Sequence, residues 1–311
     1  MVTTRYGDDF FEQYLQHLRR IGRKRSGEAN SRSHIKRYCQ YLYENGFHDP
    51  RHVTQKDIEL FLSWLKNNAQ SRRGQSTASA STIQHYQGFL RGFYGFLKDE
   101  SQILTNPMDN IPSAKVPKRI KQDVLTIQEL NRLFEQPDQD TPEGLRDLVA
   151  LRLMAFSGLR VGALCRLLLK DVNLSEREII VRTGKGNKDR LTFFDPITRQ
   201  TIARYLVQAR PALAPARIKT LLVDNKRKPM RGWQVKDMVI RYTRRARIGK
   251  HITPHSLRRT FCTMLLIAGC NLKVVAELAG HGSLDTTAGY TKLDLDGLTR
   301  IYNQSHPRGN L

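Results

Sequence analysis

The stretch that decides the fold is Glu178-Ile179-Ile180-Val181-Arg182-Thr183-Gly184-Lys185-Gly186-Asn187-Lys188-Asp189-Arg190-Leu191-Thr192-Phe193. Its apolar runs, residues 178–182 and 190–193, flank a polar turn over residues 183–188 and read as two antiparallel strands. Gly184 and Gly186 let the backbone turn tightly, and Lys185 projects from the tip between them. Elsewhere the apolar residues recur at helical spacing. The chain therefore reads as mainly α with a small antiparallel β-sheet.

Downstream of the hairpin, Thr253 suits an N-cap and Pro254 the first helical position. Leu257, Phe261, Met264, Leu265 and Ala268 follow as the buried side of that helix, and His255 and Arg258 stand three apart, neighbours on one face. Upstream, Thr126 caps a helix through Leu130, Leu133 and Phe134, and a second helix spans residues 144–157 until Gly158 breaks it. The first hundred residues read as four helices. Phe11, Leu15 and Leu18 mark the first. Ile35, Cys39 and Leu42 mark the second, which Gly46 stops. Ile58, Phe61, Leu62 and Leu65 follow an N-cap at Thr54, with Asp57 three residues on. Ile83, Tyr86, Leu90, Phe93 and Leu97 mark the fourth. Between the third and fourth, residues 71–81 form a polar, basic loop that holds Arg72 and Arg73. From residue 106 to 122, Pro107, Pro112 and Pro117 interrupt any helix, while Lys115, Lys118, Arg119 and Lys121 add charge without apolar periodicity. The expected organisation is a helical domain over residues 1–105, an extended basic linker over 106–122 and a mixed α/β domain over 123–311.

Lys plus Arg number 52 against 29 Asp plus Glu, a formal net charge of +23. A polyanion is the simplest partner for such an excess, and nucleic acid is the commonest. The linker, on this charge, either lies along a phosphate backbone or is a solvated tether. No apolar run approaches the ~20 residues of a membrane span. Neither a basic amphipathic helix nor a lipid signal stands out, so no membrane partner is expected. The N-terminus has no apolar signal-peptide core, which points to the cytoplasm and, in a bacterium, the nucleoid. Cys39, Cys165, Cys262 and Cys270 form no CxxC pair and read as buried thiols rather than a zinc site or a disulfide framework.

Four segments carry chemistry. In Ser157-Gly158-Leu159-Arg160, an arginine at the start of a helical turn suits a phosphate. In the hairpin, a lysine on the turn can enter a groove and donate a proton, a role for which Lys188 competes with Lys185. The hairpin does not have P-loop spacing, which needs GxxxxGK[ST] before a helix. His255 and Arg258 together at a helix N-terminus make an anion site, with Arg259 directed to solvent or to DNA. In the fourth segment, Gly280 ends a helix, His281 follows in the turn, and Ser283 can cap a short helix carrying Tyr290. Arg160, Lys185, His255, Arg258, His281 and Tyr290 together fit phosphoryl transfer without a metal or other cofactor. The arginines would hold non-bridging oxygens, Tyr290 would attack, and Lys185 would protonate the leaving oxygen. A phenol of ordinary pKa ~10 needs nearby cations or a base to do so at neutral pH. No acidic cluster that would hold Mg²⁺ or Zn²⁺ stands out.

These motifs, in this order, resemble the tyrosine recombinase (phage integrase) family, and its Xer-like and integron or transposon integrase members most. Leu90-Arg91-Gly92-Phe93-Tyr94-Gly95-Phe96-Leu97 with Asn106-Pro107 resembles the last helix of that family's core-binding domain. Ser157-Gly158-Leu159-Arg160 resembles its first catalytic box, and residues 184–190 its lysine hairpin. His255-Ser256-Leu257-Arg258 and the stretch from Gly280-His281 to Tyr290 resemble its second box. The resemblance covers nearly the whole chain. It implies a helical core-binding domain that clamps DNA, a mixed α/β catalytic domain, an activating set of Arg160, Lys185, His255, Arg258 and His281, and Tyr290 as nucleophile. It implies a 3′-phosphotyrosine intermediate, a free 5′-hydroxyl, exchange through a Holliday junction within a homotetramer or heterotetramer, and duplex DNA with inverted-repeat sites. The basic residues expected on that DNA are Arg72, Arg73, Arg91, Lys115, Lys118, Arg119 and Arg259. Ala163 departs from the family's usual Glu, a carboxylate that would orient the arginines or histidines. Arg259 and Met264 stand where His is frequent, Ala279 where Leu is common and Gly282 where Ser is usual; none of these removes a reacting group. Residues 291–311 resemble a tail that docks on a neighbouring subunit through Leu293, Leu295, Leu298 and Ile301, or packs in cis. Two other readings share the motifs: a type IB topoisomerase-like enzyme, and a non-catalytic DNA-binding protein on the same scaffold.

Overall fold

The computed structural model describes residues 8–22, 25–68, 77–115, 123–182 and 189–280. The chain divides into two compact units, residues 1–119 and 120–311.

The first unit contains α1 (Asp8–Arg20), α2 (Arg25–Glu44), α3 (Gln55–Asn68) and α4 (Ala80–Asp99). Each starts or stops where local chemistry requires. The chain leaves α2 through Gly46 at a φ of 79°, a left-handed position that glycine takes without steric cost. Thr54 and Asp57 exchange hydrogen bonds ahead of α3, and Ser79 accepts from the Thr82 N–H at the head of α4. The aromatic core is built from Tyr38, Phe61, Phe93 and Tyr94, all fully buried. The expected linker differs from what forms. Met108 and Ile111 are buried in this same core. The Gln87 amide donates to the Pro112 carbonyl at 2.9 Å and accepts from the Ala114 N–H at 2.7 Å. Prolines forbid a helix there but not packing, so the chain remains fastened to α4 as far as residue 114. Residues 116–122 lie outside the described residues.

The second unit contains α5 (Ile127–Phe134), α6 (Pro142–Phe156) and α7 (Val161–Arg166), then β1 (Val172–Asn173), β2 (Glu178–Val181) and β3 (Arg190–Phe193). It continues with α8 (Pro196–Arg204), α9 (Arg210–Leu213), α10 (Gly232–Arg245), α11 (Pro254–Ile267) and α12 (Leu272–Ala279). The strands form an antiparallel sheet in the order β1-β2-β3. The hairpin strands are those expected; β1, two residues long, is too short for a periodic signal. Ile179 and Val181 face inward and Ile180 is exposed, the alternation of a half-buried strand. Helix α6 packs against α5, α7, α8 and α11, and its side chains from Leu145 to Phe156 are nearly all buried. It is the pillar on which the site stands. Cys270 is buried and Cys39, Cys165 and Cys262 are partly buried. Among the described residues, no helix is long and apolar enough to cross a membrane.

Candidate active site

The end of α6 sets the first element of the site. Ser157 closes the helix and Gly158 turns left-handed at a φ of 60°. A Cβ on Gly158 would run into the Phe261 ring, so glycine is demanded twice, by conformation and by space. The turn delivers Arg160 to the start of α7. Strand β3 is fastened to the same corner by the Thr192 hydroxyl, which donates to the Ser157 carbonyl at 2.9 Å.

Helix α11 supplies the second element. Thr253 and Ser256 form a reciprocal cap, with Pro254 in the first turn as expected. The helix buries Leu257, Phe261, Met264 and Leu265. Ala268, expected on that side, is exposed because it lies past the last helical residue. His255 and Arg258 divide by depth. His255 is exposed on the first turn, whereas Arg258 is only 2% exposed and is drawn under the helix.

The arginines converge on the C-terminus of α12. Arg160 donates to the Gly280 carbonyl at 2.5 Å. Arg258 donates to the Gly158 carbonyl at 2.5 Å and to the Ala279 carbonyl. Arg190, from β3, donates to the Leu278 carbonyl at 2.7 Å. Three guanidinium groups from three separate segments thus meet three consecutive carbonyls at the negative end of a helix. Gly280 caps that helix with a φ of 64°. The charges are crowded. Burial, followed by the charge of Arg160, pushes Arg258 down to about 10. Burial, with Arg258 and Arg160 beyond it, pushes Arg190 down to about 10. Buried like charges of this kind favour an anion among them, and a tetrahedral oxyanion offers the several acceptors that guanidinium forks require.

Of the six residues expected in the site, Arg160 and Arg258 are brought together and His255 stands on the same helix as Arg258. Lys185, its rival Lys188, His281 and Tyr290 lie outside the described residues, although α12 leads directly into His281. Arg72, Arg73, Lys118, Arg119 and the tail of residues 291–311 also lie outside them. Lys115 is exposed. Arg91 donates to the Ile111 carbonyl and to the Ser113 hydroxyl within the first unit. Arg259, expected toward solvent or DNA, instead pairs with Asp123, which also accepts from the Ser256 hydroxyl. Its partner lies far away in sequence, so helical periodicity could not reveal it. Ala163 is partly buried against the main core. Arg190 is the site residue that the motif reading passed over. The available signal was its register: it pairs with Val181, and Val181 and Thr192 are buried. An arginine at that inward position asks for a partner.

Comparison with known proteins gives a consistent set of relatives. The sequence pattern of the phage integrase family matches residues 123–296. The tyrosine recombinase XerD of Corynebacterium glutamicum is 31% identical over 90% of this chain and 91% of its own length. Tyrosine recombinase XerC 2 of Ralstonia nicotianae is 31% identical over 99% of this chain and 87% of its own length. The fold is similar to that of a lambda integrase tetramer bound to a Holliday junction, with a TM-score of 0.70 at 17% identity over 94% of this chain and 81% of that one. It is also similar to the XerH site-specific recombinase bound to its palindromic difH substrate, with a TM-score of 0.69 at 20% identity over 94% of this chain and 80% of that one.

Proposed function

This chain belongs to the phage integrase family, and from that premise we propose that it is a site-specific DNA recombinase whose nucleophile is Tyr290. The observation that carries the reading is the meeting of Arg160 and Arg258 at the carbonyls of Ala279 and Gly280, immediately before His281 and ten residues before Tyr290. Two guanidinium groups so close can hold both non-bridging oxygens of one phosphate and stabilise the charge that grows there in the transition state.

The Tyr290 phenol passes its proton to an imidazole of the site, its oxygen bonds to phosphorus, and the bond from phosphorus to the 5′-oxygen breaks. The departing oxygen leaves with the bonding electrons and takes a proton from Lys185, giving a 5′-hydroxyl and a 3′-phosphotyrosine. His255 and His281 complete the activating set. The 5′-hydroxyl of another duplex then attacks the phosphotyrosine and releases the phenol. Phosphodiester energy is kept in the protein–DNA bond, so the exchange needs no nucleotide cofactor. The partner is duplex DNA with inverted-repeat sites. Arg72, Arg73, Lys115, Lys118 and Arg119 are the basic residues proposed to contact its backbone, since Arg91 and Arg259 are engaged within the fold. Two such exchanges through a Holliday junction call for four protomers, and the cytoplasm, at the nucleoid of a bacterium, is the proposed location.

The test is covalent capture on a nicked duplex selected by the chain from a randomised pool. The unchanged chain is expected to form a denaturation-resistant protein–DNA adduct and Tyr290→Phe to form none. An adduct with Tyr290→Phe would remove Tyr290 from the role.

A further inference from the structure

We propose that Arg190 is a positioning residue for strand cleavage, holding the C-terminus of α12 beside Arg160 and Arg258 so that the segment beginning at His281 departs from a defined point. The inference rests on the recombinase reading of the site and adds to it a residue outside the set of six.

Three observations meet at Arg190. Its Nη1 donates to the Leu278 carbonyl at 2.7 Å, one residue before the carbonyl that Arg258 holds and two before the one that Arg160 holds. Its side chain lies directly against Gly280, where a Cβ would collide with Nε. Its Nε and Nη2 are buried without a hydrogen-bond partner, beside two further guanidinium groups. An arginine placed so expensively is not a general stabiliser of the fold. Unpaired buried donors and like charges both cost free energy, and shape is what the residue supplies in return. β3 is itself fastened to the Arg160 corner through Thr192 and Ser157. Arg190 therefore ties the end of α12 to the same rigid corner that presents Arg160. A guanidinium reaches Leu278 and packs against Gly280 at once; an ammonium can reach the carbonyl but cannot fill that contact.

The test uses the full chain with Arg190→Ala, Arg190→Lys and Gly280→Ala, the last pushing on the same contact from the other side. DNA affinity by gel shift, the single-turnover rate of covalent capture on the nicked selected duplex, and the melting temperature are measured for each. Loss of position is expected to slow capture about 100-fold in Arg190→Ala, the scale of a misplacement of about 1 Å. Affinity should stay within about twofold of the unchanged chain, since the backbone contacts that dominate it are untouched. Arg190→Lys should recover part of the rate, and Gly280→Ala should lose rate without losing affinity. Unchanged capture in Arg190→Ala overturns the proposal. So does a fall in capture matched by equal falls in affinity and melting temperature across all three variants, which marks a general folding role. If the unchanged chain captures no DNA while binding it, the recombinase reading falls first and this proposal falls with it.

Discussion

Two residues test how tightly the site corner is built and how its chemistry is shared. Gly158 combines a left-handed φ of 60° with contact against the Phe261 ring. Gly158→Ala should destabilise the second unit by about 3 kcal/mol in urea unfolding, from left-handed strain and overpacking together. A loss below about 1 kcal/mol would show that the ring yields freely. Lys185 is proposed as the acid for the leaving 5′-oxygen. A bridging 5′-phosphorothiolate needs no such acid, so that substrate should rescue Lys185→Ala but not Arg160→Ala. Equal failure of both variants would take the acid role from Lys185 and direct attention to Lys188.

At the scale of elements, two N-caps of the same chemistry separate stability from catalysis. Thr126 caps α5 and Thr253 caps α11, each through a reciprocal box. Either threonine replaced by alanine should cost about 1 kcal/mol of stability. Only α11 carries His255 and Arg258, so only Thr253→Ala should also slow covalent capture; equal slowing by Thr126→Ala would deny α11 that special place. The α5 cap carries a pH signature. Burial raises the Glu129 carboxyl, but hydrogen bonds from Lys250 and from the Thr126 N–H outweigh it and hold the carboxyl below its ordinary range. A depressed carboxylate contributes stability that is present above its unfolded value and is lost as pH falls through the folded one. Glu129→Gln should therefore narrow the stability difference between neutral pH and roughly pH 3. These caps were legible in the sequence because a cap and its partner lie three residues apart. The pairing of Arg259 with Asp123, and of Arg190 with Leu278, was not, because each spans the fold.

For the whole molecule, the net charge of +23 makes DNA affinity a function of salt. If six or more phosphates are neutralised, raising salt from about 50 to 200 mM should weaken binding by about 10³-fold or more. Lys115→Ala should reduce the slope of log affinity against log salt by about 1 if that side chain meets a phosphate. An unchanged slope would remove Lys115 from the contact set. The first unit bears on this surface in a way composition alone could not show. Residues 106–114 belong to its packed body, because Met108 and Ile111 are taken into the core beside α4.

By itself the sequence determined what local rules control: the helices, their caps, the glycine breaks, the hairpin strands and the order of Arg160, Lys185, His255, Arg258, His281 and Tyr290 along the chain. The helices, caps, breaks and strands each depend on residues within about one helical turn or one pleat of each other, and the order of the six is read directly along the chain. Only the tertiary structure decided which guanidinium groups share a corner. It drew Arg258 beneath α11 while leaving His255 exposed, turned Arg259 to Asp123, and brought Arg190 from β3 to the end of α12. The reason is physical. A buried cation must find acceptors wherever the fold provides them, and here they are helix-end carbonyls far away in sequence, which no periodic pattern encodes.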